Sequence, residues 1–564
     1  MIPLNLKIMR LTKIFIVFSL CFNVANAQDY YLENNGPYDD NILSPEEFLG
    51  YEIGFEHTRH DLIVAYLKYL SNVSEKAEIV KYGESHEGRD LIMLLVSSRE
   101  NINNIESIKR EHLKHTVPEA KNKIEDNLPV IVNLGYGVHG NEPSSAEAAI
   151  LAAYTFVASG NIKIKRLIKN SVIFIDPTIN PDGRDRHSQW ANQYKSINLV
   201  ADSNDAEHNE AWPRGRTNHY WFDLNRDWLL GINPESRGKL KWYHGWYPNV
   251  VTDFHEMGTN SNYFFEPMKR NASVKPMIPD ENYSVLSPIF AEYYVKALDS
   301  IGSFYYTKES FDETYPGYGS SYPDVQGAVA ILFEQASSRG HLQETNYGTM
   351  SFGFTIRNQY LSSIATVEAA VDNKDLLRDY QMRFFNSSMK EFKNEKVKAY
   401  EFGDMNDQNR NKAFIDKLLL HKIKVYNSKG RFVVPVNQPQ SRMVKNFFET
   451  YSVYVDSVFY DTSAWSVSNM YNMRSKKLKS FFGESEIKTT NGFVKNLKPK
   501  KSNYSYILDW DDYNSPAALN HLQKNGVITY SAFKPFTIKI NGTNSSKKFN
   551  YGSLLIPVSK QNLT

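Results

Sequence analysis

The chain has 564 residues, of which 41% are hydrophobic and 23% are charged, and its formal net charge is +2. This length exceeds what one compact core accommodates, so we expect two or more domains. A near-neutral charge without a dense basic cluster argues against nucleic acid as a partner.

The first residues predict a secretory signal peptide over residues 1–27. Basic residues precede the apolar run IFIVFSLCF, and ANA places small residues before Gln28. Because the apolar run is short for a membrane span, we expect a secreted or periplasmic protein without stable membrane insertion after cleavage; the alternative is an uncleaved N-terminal anchor. Cys21, the single cysteine of the chain, lies in this segment. We therefore expect any metal of the mature chain to be held by His, Asp or Glu.

The patterns that follow predict helices and strands in alternation. An amphipathic pattern predicts a helix over about 43–70, and the next two runs predict a strand hairpin around a turn at 83–88. The run LPVIVNLGY, bounded by Pro and Gly, predicts a buried strand. Apolar residues at helical spacing then predict a helix, with Ser144 and Glu147 as its capping box.

Three further β-rich runs end in polar residues: SVIFIDPTINPDG, NVVTDFHEMG and GAVAILFEQAS. This alternation predicts an α/β fold with a mixed, largely parallel twisted sheet flanked by helices. In such sheets ligands bind beyond the carboxyl ends of the strands, where these polar clusters lie. One long helix is predicted from about Phe352 to Phe392.

The polar stretch FGDMNDQNRNK marks the predicted domain boundary. It gives a first domain over residues 28–400 and a second over 401–564. Helix and strand patterns alternate again in the second region, which predicts a smaller α/β domain. Its last strand-like run stops almost at Thr564, so we expect this unit to be incomplete.

The HGNE motif places His139 and Glu142 on one tight turn, where Gly140 and Asn141 let both side chains point to the same side. A catalytic zinc takes three protein ligands and keeps one position for a water, whose pKa it lowers. His255 in TDFHEMG ends a predicted strand and is the candidate third ligand; the segment lacks the second His of HExxH. Taken alone, each of these residues is equally consistent with a hydrogen-bonded side chain at a turn or strand end.

Two further segments carry candidate catalytic chemistry. Glu334 in AILFEQAS ends an almost wholly apolar strand, where a carboxyl needs a partner such as a zinc-activated water. We expect it to be the general base that takes the proton of the attacking water and passes it to the leaving amine. In WFDLNRDW, the planar fork of Arg226 and the amide of Asn225 suit the terminal carboxylate of a peptide, with a surface ion pair as the alternative.

In this order the motifs resemble those of the M14 family of zinc metallocarboxypeptidases, from about Gly83 to Ser338. GESHEGRDL is similar to the family's opening strand pair, HGNE to its HxxE motif, NPDGR to its Asn-Pro-Asp-Gly turn, DLNRD to its carboxylate clamp, DFHEMG to its distal His and FEQ to its general-base Glu. The resemblance implies Zn²⁺ as the cofactor, held by His139, Glu142 and His255.

The resemblance also implies roles for side chains around the metal. Glu334 matches the general base, and Asn225 and Arg226 match the pair that holds the substrate's terminal carboxylate. Asp223 matches the acid that orients the first ligand histidine, a partner that fixes the tautomer and basicity of the ring.

Two family roles each have two candidates in this sequence. The arginine that polarises the scissile carbonyl is matched by Arg216, with Arg214 as the alternative. The mobile tyrosine that closes over substrate is matched by Tyr315, with Tyr318 on the same glycine-rich loop as the alternative. The chain departs from digestive members at Asn141, where they carry Arg, and the HGNE spelling also occurs in related deacylases of small N-acyl amino acids.

The expected function is that of a secreted zinc-dependent carboxypeptidase acting on the C-termini of peptides or proteins. The alternatives are a zinc amidohydrolase acting on N-acyl amino acids or cell-wall peptides, and a non-catalytic binding protein on the same scaffold. The second domain resembles the glutamine-amidotransferase-like domain that follows the peptidase in some secreted bacterial members. It has no cysteine nucleophile, so we expect a structural or substrate-positioning role.

Overall fold

The computed structural model describes residues 27–118, 128–269, 278–312, 315–449, 466–493, 499–539 and 545–561. Residues 1–26 of the predicted signal peptide lie outside this part of the chain. The described residues divide into two compact units, one up to Arg383 and one from Phe384; the boundary near residue 400 remains a prediction. None of the described helices has the length and apolar character needed to cross a bilayer.

The strands of the first unit are β1 (Ala77–Glu84), β2 (Asp90–Val96), β3 (Val130–Tyr136), β4 (Ser171–Asp176), β5 (Val250–Met257), β6 (Tyr263–Phe265), β7 (Tyr305–Tyr306), β8 (Val329–Ala336), β9 (Leu342–Thr345) and β10 (Gly348–Ser351). Eight of them form one mixed sheet in the order β1-β2-β4-β3-β5-β8-β6-β7. The four central strands β4, β3, β5 and β8 run parallel, and antiparallel pairs flank them. The predicted mixed sheet is confirmed.

Helices cover both faces of this sheet, as its buried strands require. The helices of this unit are α1 (Ala27–Leu32), α2 (Pro45–Leu49), α3 (His60–Val73), α4 (Arg99–Asn103), α5 (Ile105–Leu113), α6 (Ser144–Ala158), α7 (Ile162–Asn170), α8 (Pro181–Tyr194), α9 (Pro234–Trp246), α10 (Ser287–Asp299), α11 (Phe352–Asp372) and the first half of α12 (Lys374–Lys393), which continues beyond Arg383. Tyr136 of β3 donates a hydrogen bond to Ser363 of α11 (2.7 Å). On the opposite face of the strand, Asn133 accepts one from Lys239 of α9 (2.9 Å).

Two of the predicted helices are divided in the structure. The helix predicted over 43–70 is α2 and α3, because Gly50 ends α2 in the left-handed conformation (φ 81°), which glycine tolerates. A capping box between Ser44 and Glu47 begins α2. The single helix predicted from Phe352 is likewise α11 and α12, which are separated at Asn373.

The capping box predicted at Ser144 and Glu147 is wrong. The backbone N–H of Ser144 donates to Glu256 (2.8 Å), and α6 begins without a side-chain cap. Glu147 instead lies in the core, where the backbone N–H and the hydroxyl of Thr58 both donate to it (2.7 Å each) and Arg184 forms a buried ion pair with it. A buried cation thus binds the carboxylate that the pattern assigned to the helix start.

Replacing Arg184 with methionine leaves the Glu147 carboxylate buried without its cation. We expect the free energy of unfolding to fall by about 3–5 kcal/mol, because an uncompensated buried charge is costly. Denaturant unfolding of the purified protein measures this change. The matched control is Arg166→Met, which removes a pair with Asp372 at the surface and costs at most about 1 kcal/mol. Equal losses in the two variants would contradict the prediction.

The second unit contains further sheets and helices. Its strands are β11 (Ala399–Phe402), β12 (Val425–Ser428), β13 (Arg431–Pro435), β14 (Ser475–Leu478), β15 (Ser485–Ile487), β16 (Ser505–Leu508), β17 (Tyr530–Ser531), β18 (Phe536–Lys539), β19 (Ser546–Phe549) and β20 (Leu554–Pro557), and its helices are α13 (Gln408–Leu420), α14 (Ser441–Phe448), α15 (Val467–Met470) and α16 (Ser515–Lys524). The largest sheet has the order β14-β11-β13-β12-β15, with antiparallel pairs between its described strands. Its resemblance to a glutamine-amidotransferase-like domain remains a prediction.

Candidate metal centre and cleft

The carboxyl ends of β3, β5 and β8 meet at one edge of the sheet and carry the candidate site. The β5–β8 register pairs His255 directly with Glu334. Because paired residues of neighbouring strands point to the same side, these two side chains project together. His139 and Glu142 follow β3 in the next turn, and all four residues line one pocket. The structure therefore brings together the predicted ligands and the predicted base.

His139, Glu142 and His255 form a buried group whose candidate ligand atoms all lie within 4.8 Å of one another. The Nδ1 atoms of the two histidines are 3.2 Å apart, and each is 2.8 Å from a different oxygen of the Glu142 carboxylate. Two imidazole nitrogens and a carboxylate are a donor set that zinc uses in catalytic sites. Converging lone pairs of this kind fit a cation.

An acid lies behind each of the two histidines. Nε2 of His139 donates to Asp223 Oδ1 (2.9 Å), the partner that the resemblance implied. Nε2 of His255 lies 3.0 Å from Asp253 Oδ2, a charge contact rather than a well-aligned hydrogen bond, and 2.9 Å from the side-chain amide nitrogen of Asn225. In His139 the bond from Nε2 to the acid leaves Nδ1 for a metal, and in both rings it is Nδ1 that faces Glu142.

The role of Asp253 was missed by the sequence analysis, although TDFH carried a signal for it. Asp253 precedes His255 by two positions on β5, and residues two apart on a strand share a face. An acid at that spacing is therefore placed beside the ligand ring.

Burial and neighbouring charges shift the pKa values of two carboxyl groups in the cleft, Glu142 and Glu334, in opposite directions. Burial disfavours a charged imidazole, but Glu142 and Asp223 outweigh it and raise the pKa of His139. Burial opposes ionisation of Glu142 too, yet His139 and His255 hold its pKa well below the usual range. Burial raises the pKa of Glu334 to about 8. An ionised ligand next to a carboxyl that exchanges a proton near neutral pH is typical of catalytic sites.

The NPDGR turn helps to place Arg216. Asn180 begins α8, where its side-chain oxygen accepts from Gly183 N–H (3.0 Å) and its amide donates to the carbonyl of Arg216 (3.0 Å). A side chain at Gly183 would collide with the carbonyl of Gly215, and one at Gly140 would collide with the backbone of Gly183. These glycines let the turn after β3, the start of α8 and the arginine segment pack in direct contact.

Of the two candidate arginines, Arg216 reaches the site. Its guanidinium donates to Asp223 (2.9 Å) and Glu142 (3.3 Å), and its Nη1 lies 3.2 Å from Nδ1 of His139. Arg214 is exposed and is not among the residues that line this pocket.

Asn225 and Arg226 lie in a short 3-10 turn and line the same pocket. The Asn225 side-chain oxygen accepts from Gly319 N–H (2.7 Å), which ties the turn to the glycine-rich loop. The Arg226 guanidinium lies over the ring of Tyr318, 4.7 Å from its centroid. Tyr315 donates its hydroxyl proton to the carbonyl of Arg226 (2.8 Å), and Tyr318 rather than Tyr315 lines the pocket.

The remaining wall of the pocket was missed by the sequence analysis. It consists of Glu256, Met257, Phe311, Asp312, Ser320 and Leu332. These residues come from β5, from β8 and from the segments between β7 and β8, and no local motif groups them.

Residues 63–326 match the family model Peptidase_M14, described as zinc carboxypeptidase. This region, just under half of the chain, is similar to the M14 zinc carboxypeptidase domain. Zn²⁺ is the metal of this family, and the buried group of His139, Glu142 and His255 could hold it. The matched region ends before Glu334.

The proteins and solved structures to which this chain is similar include several named as carboxypeptidases. Carboxypeptidase Z of Mus musculus is 28% identical over 179 residues, which are 31% of this chain and 22% of that protein. The catalytic chain of carboxypeptidase N of Homo sapiens is 23% identical over 264 residues, which are 42% of this chain and 52% of that protein. The chain thus spans about half or less of these relatives. A metallo-carboxypeptidase from Burkholderia cenocepacia aligns at 16% identity and a TM-score of 0.38, covering 55% of this chain and 69% of that one.

Replacing Asp253 with asparagine removes the charge behind His255. We expect zinc affinity to fall about 10- to 100-fold, because partners of this kind fix the basicity and orientation of a ligand histidine. Competition with a chromogenic chelator measures the dissociation constant.

The matched control is Asp227→Asn, an acid of the DLNRD motif that accepts hydrogen bonds from the backbone of Ile232 and Asn233. It should leave zinc affinity within about twofold, since its carboxylate bonds to backbone rather than to a candidate ligand. Unchanged affinity in Asp253→Asn would refute the assignment.

Proposed function

We propose that this chain is a secreted zinc-dependent carboxypeptidase that hydrolyses C-terminal residues of peptides or proteins. The observation that carries the proposal is the convergence of a buried His-Glu-His group, Glu334 and Arg226 on one pocket. The signal-peptide pattern over residues 1–27 supports secretion.

In this mechanism His139, Glu142 and His255 hold the metal. Zinc, when bound, polarises a carbonyl and lowers the pKa of water. Glu334 accepts the proton of the attacking water and passes it to the leaving amine. The positive charge of an occupied centre favours the ionised form of Glu334, which is the form that a base requires.

The arginines divide the recognition of substrate between them. Arg226 and Asn225 hold the terminal carboxylate, which a guanidinium grips through two parallel hydrogen bonds. Arg216, beside the candidate metal ligands, donates to the oxygen of the scissile carbonyl as negative charge develops on it. Tyr318 closes over the bound residue; its place in the pocket favours it over Tyr315.

Glu334→Gln keeps the size of the side chain and removes the base. We expect peptide hydrolysis to fall about 10²- to 10⁴-fold with zinc content unchanged. The measurements are initial rates on a peptide and metal content by mass spectrometry. Glu344→Gln, at an exposed position of β9, is the control and should keep wild-type rates. Equal rates in Glu334→Gln and wild type would refute the assigned base.

Amidation of the substrate's C-terminus removes the charge that Arg226 is proposed to bind. We expect wild type to cleave a free peptide and to leave its amide intact, and Arg226→Gln to raise KM for the free peptide more than it lowers kcat. Liquid chromatography with mass spectrometry follows both products. Equal cleavage of the acid and the amide would contradict exopeptidase action.

The two alternatives give different outcomes on the same substrates. The HGNE spelling, which also occurs in related deacylases, supports the amidohydrolase alternative; such an enzyme would hydrolyse a blocked dipeptide faster than a longer peptide. A binding protein would take up zinc and hydrolyse neither substrate.

A further inference from the structure

A second buried group of side chains suited to metal binding lies outside the group of His139, Glu142 and His255, which we call the M14 centre. It consists of His57, Glu207 and His341, whose candidate ligand atoms are within 4.8 Å of one another. Their exposed fractions are 0%, 1% and 2%. His57 precedes α3, Glu207 lies in the 3-10 turn Ala206–His208, and His341 follows β8. The fold therefore gathers three segments that are remote in sequence around one buried point.

The ring nitrogens of this group are largely without hydrogen bonds among the described residues. Both nitrogens of His57 and Nε2 of His341 are buried and lack a hydrogen-bond partner. A buried polar atom left in this state costs about 1–3 kcal/mol. The His57 ring stacks on Phe352 at 4.1 Å and meets the His341 ring edge-on at 4.6 Å, so packing holds both rings in place. Burial lowers the pKa of His57, which keeps its lone pair free for a cation.

Hydrogen bonds hold the Glu207 carboxylate and the backbone of His57 in place. Glu207 accepts a hydrogen bond from His341 N–H (2.7 Å), and its Oε1 lies 2.6 Å from Nδ1 of the same residue. A side chain at Gly340 would collide with the Glu207 carboxylate, so the close approach requires glycine. The Asn192 amide bonds to both the N–H and the carbonyl of His57 (2.9 and 3.0 Å).

We propose that His57, Glu207 and His341 bind a second divalent transition-metal ion, with Zn²⁺ as the expected occupant. Two imidazoles and one carboxylate, with no thiolate, suit zinc rather than calcium or magnesium. His187, whose ring centroid is 5.2 Å from that of His57, is an additional donor beside the group.

An ion at this place would brace the segment that leads to Arg216. The segment also contains Glu210, which accepts hydrogen bonds from the Asn141 amide (2.8 Å) and from Gly215 N–H (3.0 Å). Glu210 lies 2.9 Å from Nδ1 of His187 as well. The second ion therefore has a structural role, connected to the M14 centre through Glu210 and independent of whether that centre is catalytic.

Zinc content of the full chain tests the proposal. Each protein is stripped with a chelator, incubated with excess ZnCl₂, dialysed against metal-free buffer and measured by mass spectrometry. We expect two zinc ions per chain in wild type and one each in His57→Gln and in the His139→Ala/His255→Ala double variant. The matched control is His60→Gln, a buried histidine of the same segment whose Nε2 bonds to the carbonyl of Asp90, and it should keep two.

The outcomes separate this proposal from the proposed function. The second site is overturned if wild type retains one zinc ion and the double variant none, or if His57→Gln retains two. The second site is supported if the double variant retains one ion and the triple variant, which also carries His57→Gln, retains none. That result holds whether or not wild type hydrolyses peptides.

If His57→Gln does not fold, the double variant decides by a second measurement. Zinc added to its stripped form should raise its Tm by mass action, because the ion binds only the folded chain. An unchanged Tm together with no retained zinc overturns the proposal.

Discussion

The register between parallel strands β3, β5 and β8 is the constraint on which the candidate centre depends. Side chains alternate across a strand, so a slip of one residue between β5 and β8 would turn Glu334 to the opposite face from His255. The same parallel pairing brings the turn after β3 to that edge, with His139 and Glu142. The sheet is buried on both faces, which fixes the register and with it the distances between the candidate ligands.

Buried charge is the second constraint on this unit. Two buried acids of the core form ion pairs with buried cations: Glu147 with Arg184, and Asp176 with Lys239 (2.6 Å). In the two His-Glu-His groups imidazoles lie beside the carboxylate, and Glu142 also accepts a hydrogen bond from Arg216 (3.3 Å). An acid among imidazoles is stabilised when a metal ion supplies the missing charge. One segment serves both groups, because Glu207 and Asp223 lie on either side of Arg216.

Much of the fold could be predicted because it follows from local hydrophobic patterns. Buried strands read as continuous apolar runs, and polar clusters at their ends marked the edge that carries the site. The helix boundaries could not be read in the same way, since a left-handed glycine at Gly50 divides one predicted helix. Glu147 shows the other limit: the spacing from Ser144 is that of a capping box, but a buried arginine 37 positions later in the chain takes the carboxylate.

The sequence by itself determined the candidate ligands and the candidate base: HxxE, the distal His255 and a carboxyl at the end of an apolar strand are all visible as short motifs. Tertiary structure alone decided which arginine and which tyrosine of the two candidate pairs line the cleft, namely Arg216 and Tyr318. It also brought His57, Glu207 and His341 together, a group that no sequence motif predicts. The reason is physical: a motif reports residues joined by a few bonds, whereas a ligand set is defined by distances that exist only after remote segments have packed.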